Sequence, residues 1–517
     1  MRLDATTALQ YDSLIENDTW ELITPPPGHP IIESRWTFKV KPATRTREKI
    51  FKARFVAKGF SQVPGVDYNP DEVYAPVIKH DSLRMLLALT ARLNLFLHTL
   101  DVKTAFLYGD LKEYLLVKQP EGFVQPGTDD LVYHLLKPLY GLVQSPRNWN
   151  DKFNFFLEKF GLTRSTADLC LYYNRGENSD DYTILGIWVD DGILATKTKE
   201  KAAQIIKYLE SHFKMTSGDA DIFVGPEIER DQEKIELYVH QNSYIQTVLK
   251  RFRMTGCNSS TIPADPNSRL TRADCPKNTG RPPMDSTYYR CAVGALLYIG
   301  RMTRPDILFS VNAASRFCED PGKPAWSAVK RILSYLSGTS DYGIRYDGTQ
   351  DNTLTAYSDS DYAGCPDTSR STSGMLFMLN NGPISWTSHL QKSVAQSTCE
   401  AEYYAAGHAS RTIVWLRELL DQLGFRQPEP TPLLCDNNSA ISMVLNPVFH
   451  EKAKHIRTKH HYIRTQQENG IVKMIKVPSE DQLADGLTKP QPTAYFQLNR
   501  TRISVRPAPQ QVSNNLN

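Results

Sequence analysis

The stretch WVDDG, residues 188 to 192, constrains this chain most. Ile184, Leu185, Ile187, Trp188 and Val189 run before the two acids, and Ile193, Leu194 and Ala195 run after them. Two short apolar runs separated by Asp190-Asp191-Gly192 predict a β-hairpin with the carboxylates at or near its tip. Asp and Gly dominate turns for conformational reasons alone, so a solvated turn is one explanation. The other is a divalent-cation site, because hard cations bind carboxylate oxygens and a tight turn holds those oxygens in place. That second explanation requires a further acid from elsewhere in the chain.

LDVKTAFLYGDL, residues 100 to 111, offers that acid. Asp101 follows the stretch HDSLRMLLALTARLNL, whose apolar residues fall at helical spacing. Alone, Asp101 reads as a turn or helix residue. With Asp190 and Asp191 it completes the kind of three-acid set that two-metal nucleotidyl transfer uses.

At 517 residues the chain needs more than one core. Its 40% hydrophobic and 23% charged residues are ordinary globular values. A net charge of +3 neither requires nor excludes a polyanionic partner, so local clusters carry the argument. Lys39, Lys41, Arg45, Arg47, Lys49, Lys52, Arg54 and Lys58 form one, interrupted only by Glu48. The 8 cysteines include no CxxC pair and no Cys/His metal spacing, which argues against a structural zinc site and a disulfide framework. No apolar run approaches the roughly 18 residues of a membrane span, and the start does not resemble a signal peptide. A cytoplasmic protein is the expectation, with the nucleus and virus-like particles as alternatives. Residues 259–283 are rich in proline and polar residues and read as a linker, and VRPAPQQVSNNLN at the end reads as disordered.

A second set of acids lies beyond residue 350. Asp359 ends an apolar strand in YSDSDYAG, and Glu400 and Glu402 open a helix in STCEAEYYAAGHAS. Asp436 follows the strand of LLCDNNSAI, and Asp485 in DQLADGLTKP is expected at the start of a last helix. Each alone is explained by capping and the helix dipole. Four in one unit are harder to explain that way.

The ordered strings NDTWELI, KARFVAKGFSQVPGVDY, APVIKHDSLRMLLALTA, LDVKTAFLYGDL, KQPEGF, LKPLYGLVQSPRNW, WVDDGILAT, GALLYIGRMTRPDI and STSGMLFMLNNGPISWTSHLQ resemble the copia-type (Pseudoviridae) LTR-retrotransposon Pol polyprotein, in its reverse transcriptase and ribonuclease H region. The resemblance covers roughly residues 15 to 495. It implies an α+β fold, a right-hand polymerase of fingers, palm and thumb followed by a ribonuclease H-like α/β domain. The implied boundaries are fingers and palm over 1–200, the end of the palm and the thumb over 201–265, a linker and helical connection over 266–350, the ribonuclease H-like domain over 351–495, and a disordered tail over 496–517.

The resemblance also implies an RNA-directed DNA polymerase and an RNA–DNA hybrid ribonuclease. Asp101, Asp190 and Asp191 would bind the polymerase metals, and Asp359, Glu402, Asp436 and Asp485 those of the ribonuclease. Mg²⁺ is the expected ion and Mn²⁺ the alternative. Arg54, assisted by Lys39 or Lys41, would touch a deoxynucleoside triphosphate. Phe106 would crowd the sugar 2′-position, although a core aromatic is an equal explanation. Tyr140 and Gly141 would line the nucleotide pocket, and Trp188, standing where the family has tyrosine, would pack against a primer terminus. Glu402 is preferred over Glu400 because AEYYAA matches the family's helix. The basic run KHIRTKHHYIR, 454 to 464, would contact phosphate, with Arg457 where the family carries an acid. Expected partners are an RNA template, a DNA primer and RNA–DNA hybrid, with no membrane and with self-association left open.

In the polymerase region three residues depart from the family pattern: Trp188, Val143 in place of lysine, and Pro226 in the strand-like FVGPEI. They keep a second reading in view, a decayed or host-retained copy that binds nucleic acid without catalysis. A third reading is an unrelated metal-dependent phosphoesterase with a structural N-terminal half.

Overall fold

The computed structural model describes residues 2–41, 50–176, 179–280, 282–446 and 462–509. The fold is α+β. Helix α1 (Arg2–Glu16) precedes β1 (Trp20–Ile23), β2 (Ile31–Ile32), β3 (Ser34–Lys41) and β4 (Ile50–Ala57). Next come α2 (His80–Arg92), β5 (Phe96–Val102), β6 (Leu116–Val117), β7 (Val132–Leu135), α3 (Ser145–Lys159), β8 (Thr163–Arg164) and β9 (Leu171–Asn174). The central sheet is completed by β10 (Thr183–Trp188), β11 (Asp191–Thr196) and, after α4 (Lys199–Glu210), β12 (Met215–Asp219). Its strand order is β12-β5-β11-β10-β9-β8. Helix α2 fills the space behind this sheet and buries every residue from Ser82 to Ala91, Arg84 included.

A second part follows. It contains β13 (Glu227–Asp231), β14 (Glu236–His240), α5 (Asn242–Arg251), α6 (Pro276–Thr279), α7 (Ser286–Met302), α8 (Pro305–Ser315), α9 (Lys323–Ser337) and β15 (Tyr342–Asp347). Ile245, Leu296, Val311 and Leu333 share one core, so α5, α7, α8 and α9 form a single helical unit. The boundary expected at 265/266 therefore falls between helices that pack together.

The last part holds β16 (Thr355–Ser360), β17 (Thr372–Leu379), β18 (Gly382–Leu390), α10 (Thr398–Gln422), β19 (Thr431–Cys435), α11 (Asn438–Leu445), α12 (Tyr462–Glu468), β20 (Val472–Lys476), α13 (Thr493–Arg502) and β21 (Val505–Pro507). Its sheet runs β18-β17-β16-β19-β20, with the first three strands antiparallel and the last two joined in parallel. That order, with α10 crossing between β18 and β19, is the ribonuclease H-like arrangement.

Three expectations change. The disordered tail does not begin at 496: α13 and β21 occupy 493–507, Phe496 and Val505 are buried, and β21 pairs with β15. Pro226 lies outside any strand, in a turn where the Phe223 N–H donates to its carbonyl at 3.0 Å, so it removes no ladder donor. Asp485 heads a short 3₁₀ turn (Asp485–Leu487), not the last helix, because Pro490 and Pro492 delay α13 until Thr493. Among the described residues, no helix is long and apolar enough to cross a membrane.

Candidate active sites

The hairpin β10–β11 is tighter than its sequence suggests. Trp188 and Asp191 already face each other across the strands, so the tip is Val189-Asp190 and Gly192 lies within β11. Val189 adopts φ +57°, a left-handed conformation that costs a β-branched residue about 1–3 kcal/mol. The Trp149 indole N–H, donating to the Val189 carbonyl at 2.7 Å, holds it there.

The third acid arrives by strand register. On the far side of β11, Asp191 is the cross-strand partner of Asp101 in β5. The Val102 N–H donates to the Asp190 carbonyl at 3.0 Å, tying the hairpin tip to the same strand. Burial pushes the Asp190 carboxyl above the ordinary carboxylate range; the nearby Asp101 adds to this, and Arg54 and Lys52 oppose it. Two acids crowded in a half-buried site favour a bound cation, and their oxygens suit a hard one. The three side chains do not bring one ligand atom each within 4.8 Å of one another: among the described residues, the group that does so is Glu402, Cys435 and Asp436, the cysteine through its Sγ.

The β3–β4 ribbon faces these acids. Its register pairs Thr37 with Arg54 and Lys39 with Lys52. Residues two apart share a strand face, so Lys39, Lys52 and Arg54 lie on one side of the ribbon, opposite the buried Ala53 and Phe55. Like charges directly opposite each other are unfavourable unless an anion faces them. The side chain of Lys41 and all of Arg45, Arg47 and Lys49 lie outside the described residues. Arg54 stacks over the Tyr140 ring at 5.1 Å, and Tyr140 packs on Phe106 with ring centroids 4.5 Å apart. Burial first, then the charge of Asp190, pushes the Tyr140 hydroxyl up to about 12, with Arg54 pulling against them. Phe106 is buried in the main core.

Gly141 is needed for this assembly. It has φ +97°, and a Cβ there would stand 2.0 Å from the Ala57 carbonyl oxygen. The Ala57 N–H donates to the Tyr140 carbonyl at 2.9 Å, so backbone contacts fasten β4 to the Tyr140–Gly141 loop. Val143, half-buried, donates its N–H to Gln62 Oε1 at 2.8 Å. Trp188 stacks on His80, at the start of α2, with centroids 5.9 Å apart and planes inclined by 12°. Sequence reasoning missed His80 and the placement of Lys52; the latter was readable, two residues before Arg54 on the same strand face.

The second set of acids converges at the end of β16. Asp359 accepts from the Thr488 hydroxyl at 2.6 Å, and Glu402 Oε1 accepts from the Ser360 N–H at 3.2 Å. Asp436 accepts from the Ser479 hydroxyl at 2.8 Å. Asp485 accepts from Gln491 at 2.9 Å and pairs with Lys489 at 2.5 Å. Burial, and then repulsion among Asp359, Glu402, Asp436 and Asp485, raises the Asp359 and Glu402 carboxyls well above the ordinary range. Cys435, which the sequence reading passed over, lies with its Sγ 3.9 Å from Glu402 Oε2. Glu400 points elsewhere, toward the Tyr404 hydroxyl and, at 2.7 Å, the Gln396 N–H. Asp359, Glu402 and Asp436 line a cleft of about 960 Å³. Residues 454–461 of the expected phosphate-contacting run lie outside the described residues. Arg464 does not fit that role: it is buried, donates to the Met443 carbonyl at 3.0 Å and stacks over Tyr403.

Residues 17–266 match the reverse transcriptase (RNA-dependent DNA polymerase) family. The chain is 38% identical over 498 residues to the retrovirus-related Pol polyprotein from transposon TNT 1-94 of Nicotiana tabacum, covering 96% of this chain and 37% of that protein. The chain belongs to the copia-type Pol polyproteins. The corresponding polyprotein from transposon RE1 of Arabidopsis thaliana is 36% identical over 97% of this chain and 33% of its own length. The chain thus spans about a third of the length of the curated copia-type relatives it matches. Among solved structures, a foamy viral protease-reverse transcriptase in complex with double-stranded DNA aligns with a TM-score of 0.49 and 11% identity, over 92% of this chain and 69% of that one.

Proposed function

We propose that this segment is an RNA-directed DNA polymerase that extends a DNA primer on RNA or DNA. The observation that carries the reading is the strand register that sets Asp101 beside Asp191, with Asp190 at the adjoining tip, beneath the Lys52–Arg54 face of the ribbon. Asp101, Asp190 and Asp191 have the donor chemistry to hold divalent cations, Mg²⁺ by preference and Mn²⁺ as substitute. Bound there, such ions activate a primer 3′-hydroxyl and neutralise the triphosphate. Arg54, Lys52 and Lys39 offer the incoming deoxynucleoside triphosphate three cations on one face. Tyr140, oriented by Arg54, and Phe106 behind it form the wall of the sugar pocket. Gly141 allows that wall to approach β4. Trp188, stacked on His80, presents a flat apolar surface to the primer end.

We propose further that the C-terminal unit cleaves the RNA strand of RNA–DNA hybrids, with Asp359, Glu402, Asp436 and Asp485 holding the cations. Each carboxylate is oriented by a hydrogen bond or ion pair to a neighbour, and the crowding that raises Asp359 and Glu402 is relieved by bound cations. Fingers and palm over 1–200, the end of the palm and the thumb over 201–265 and a ribonuclease unit from 351 fit this reading, as does a cytoplasmic place of action.

Primer extension on poly(rA)/oligo(dT) and degradation of a labelled hybrid, run on one preparation, test both halves. Asp190→Asn should abolish extension and leave hybrid cleavage intact, and Asp436→Asn should do the reverse. Wild-type extension no greater than that of Asp190→Asn would sink the polymerase reading and favour a nucleic-acid binder without catalysis.

A further inference from the structure

The cleft at the C-terminal acids has a second wall, contributed by the helical unit. The cleft that Asp359, Glu402 and Asp436 line is lined also by Arg316, at the C-cap of α8, Phe309 of α8 and Arg331 of α9. The linker closes the far side. It is fastened there by the Arg272 N–H, which donates to Asp367 Oδ1 at 2.9 Å, and by an ion pair of Asp265 with Arg331 at 3.7 Å. At about 960 Å³ the space lies near the top of the roughly 300–1,000 Å³ spanned by ligand pockets. Its lining therefore mixes acids with arginines and Lys489, and a sugar-phosphate strand needs both kinds of group: cations for its phosphates and cation-holding carboxylates for the bond to be cut.

The two arginines differ. Arg331 is ion-paired with Asp265 at 3.7 Å, although its Nε is buried without a hydrogen-bond partner among the described residues. Arg316 is half-buried and has neither a hydrogen-bond nor an ion-pair partner among the described residues, yet its charge is felt at Asp361, two residues along β16 from Asp359. The Arg316 guanidinium lines the cleft with its nitrogens open to solvent, and its planar fork suits a phosphate bidentately. We propose that Arg316 binds a backbone phosphate of the RNA strand beside the position where that strand is cut, so that the helical unit supplies half of the ribonuclease's substrate site. The strand lying against the acids is the one cleaved, which is why the contact is assigned to RNA. The assignment rests on the ribonuclease reading above.

A competing role is structural, since a cation at a helix C-terminus favours the helix dipole. Hybrid cleavage by the full chain separates the two. For Arg316→Ala, the KM for hybrid should rise about tenfold while kcat changes by less than about twofold, as expected for loss of a charge-assisted contact to bound substrate. The slope of log KM against log salt should fall by about one, as for any single phosphate contact. Arg316→Lys should recover most of the salt slope and part of the KM. Primer extension by the same preparations reports that the chain is folded. An unchanged KM and salt slope in Arg316→Ala, beside an active wild type, would overturn this assignment alone. A wild type that cleaves no more hybrid than Asp436→Asn would overturn the ribonuclease reading and the assignment with it.

Discussion

Replacing Gly141 with alanine should disable the proposed nucleotide pocket without touching the proposed ribonuclease site. The alanine Cβ would stand 2.0 Å from the Ala57 carbonyl oxygen, where ordinary contact begins at 3.4 Å, so β4 and the loop must separate by 1.4 Å. The obstacle is backbone on both sides, and no side-chain rotation relieves it. A left-handed conformation costs a non-glycine residue about 1–2 kcal/mol and overpacking about 1–3, so the substitution should destabilise this region by about 2–5 kcal/mol. Set against the ~5–15 kcal/mol that holds a domain, the fold survives but the contact does not. Arg54 and Tyr140 ride on the two segments forced apart, and a displacement of about 1 Å in a positioning group can cost about 10²-fold in rate. Primer extension over a range of deoxynucleotide concentrations should therefore show kcat/KM lower by about two orders of magnitude, with hybrid cleavage near wild type. A Gly141→Ala chain whose nucleotide kcat/KM stays within about twofold of wild type would refute the claim that this close approach builds the pocket. Equal loss of both activities would refute the claim that the damage is local.

Two further outcomes follow from the geometry. Asp359 and Glu402 bind protons more readily folded than unfolded, so unfolding releases protons above the ordinary carboxylate range and stability falls as pH rises through the raised values. With divalent cations chelated, the melting temperature of the full chain should drop between about pH 6 and about pH 9, and Mg²⁺ or Glu402→Gln should flatten the slope; a melting temperature that rises with pH under chelation contradicts the crowding argument. The His80–Trp188 stack is worth about 0.5–1.5 kcal/mol, so His80→Ala should raise the primer KM by about two- to twelvefold and His80→Phe should restore it; equal loss in both variants would mean that the imidazole acts by charge and not as a platform.

The sequence carried the local part of this architecture and little of what packing adds. Apolar runs on both sides of Asp190 and Asp191 predict the hairpin that forms. They do not reveal that its tip is Val189-Asp190, because the bond holding Val189 at positive φ comes from Trp149, forty residues earlier. Lys52 was legible by the two-residue period of a strand. Cys435 was visible beside Asp436 in LLCDNNS, but only the crossing of α10 over β16 and β19 brings Glu402 to it. Arg316 could not be read at all: in SRFCED it is one more surface cation, and it acquires a setting only where the helical unit meets the C-terminal sheet. The end of the chain misled for a related reason. Composition describes VRPAPQQVSNNLN as a tail, whereas Val505 has an edge strand waiting for it some 160 residues earlier in β15.

The same reasoning bears on how the two candidate sites are related. Residue 350 looks like a border in sequence, yet packing does not break there. Arg84 of α2, buried, donates to the Ile384 carbonyl of β18 at 2.8 Å and to the Arg301 carbonyl at 2.8 Å, and its guanidinium lies 3.9 Å from the centre of the Trp386 ring. Asn380 donates to the Ala88 carbonyl at 2.8 Å, and Trp415 of α10 to the Ala167 carbonyl at 2.9 Å. Leu86 behind the first site and Leu376 behind the second belong to one continuous core. Removing the chain beyond the apparent border would strip Arg84 of one carbonyl and its aromatic partner and expose the face of α2 that packs on β18, which costs far more than an exposed loop end. The spacing between the two candidate sites is therefore set by packed side chains on α2, and the proline-rich linker, pinned at Asp367 and Arg331, is a wall of the second cleft and not a hinge between the sites.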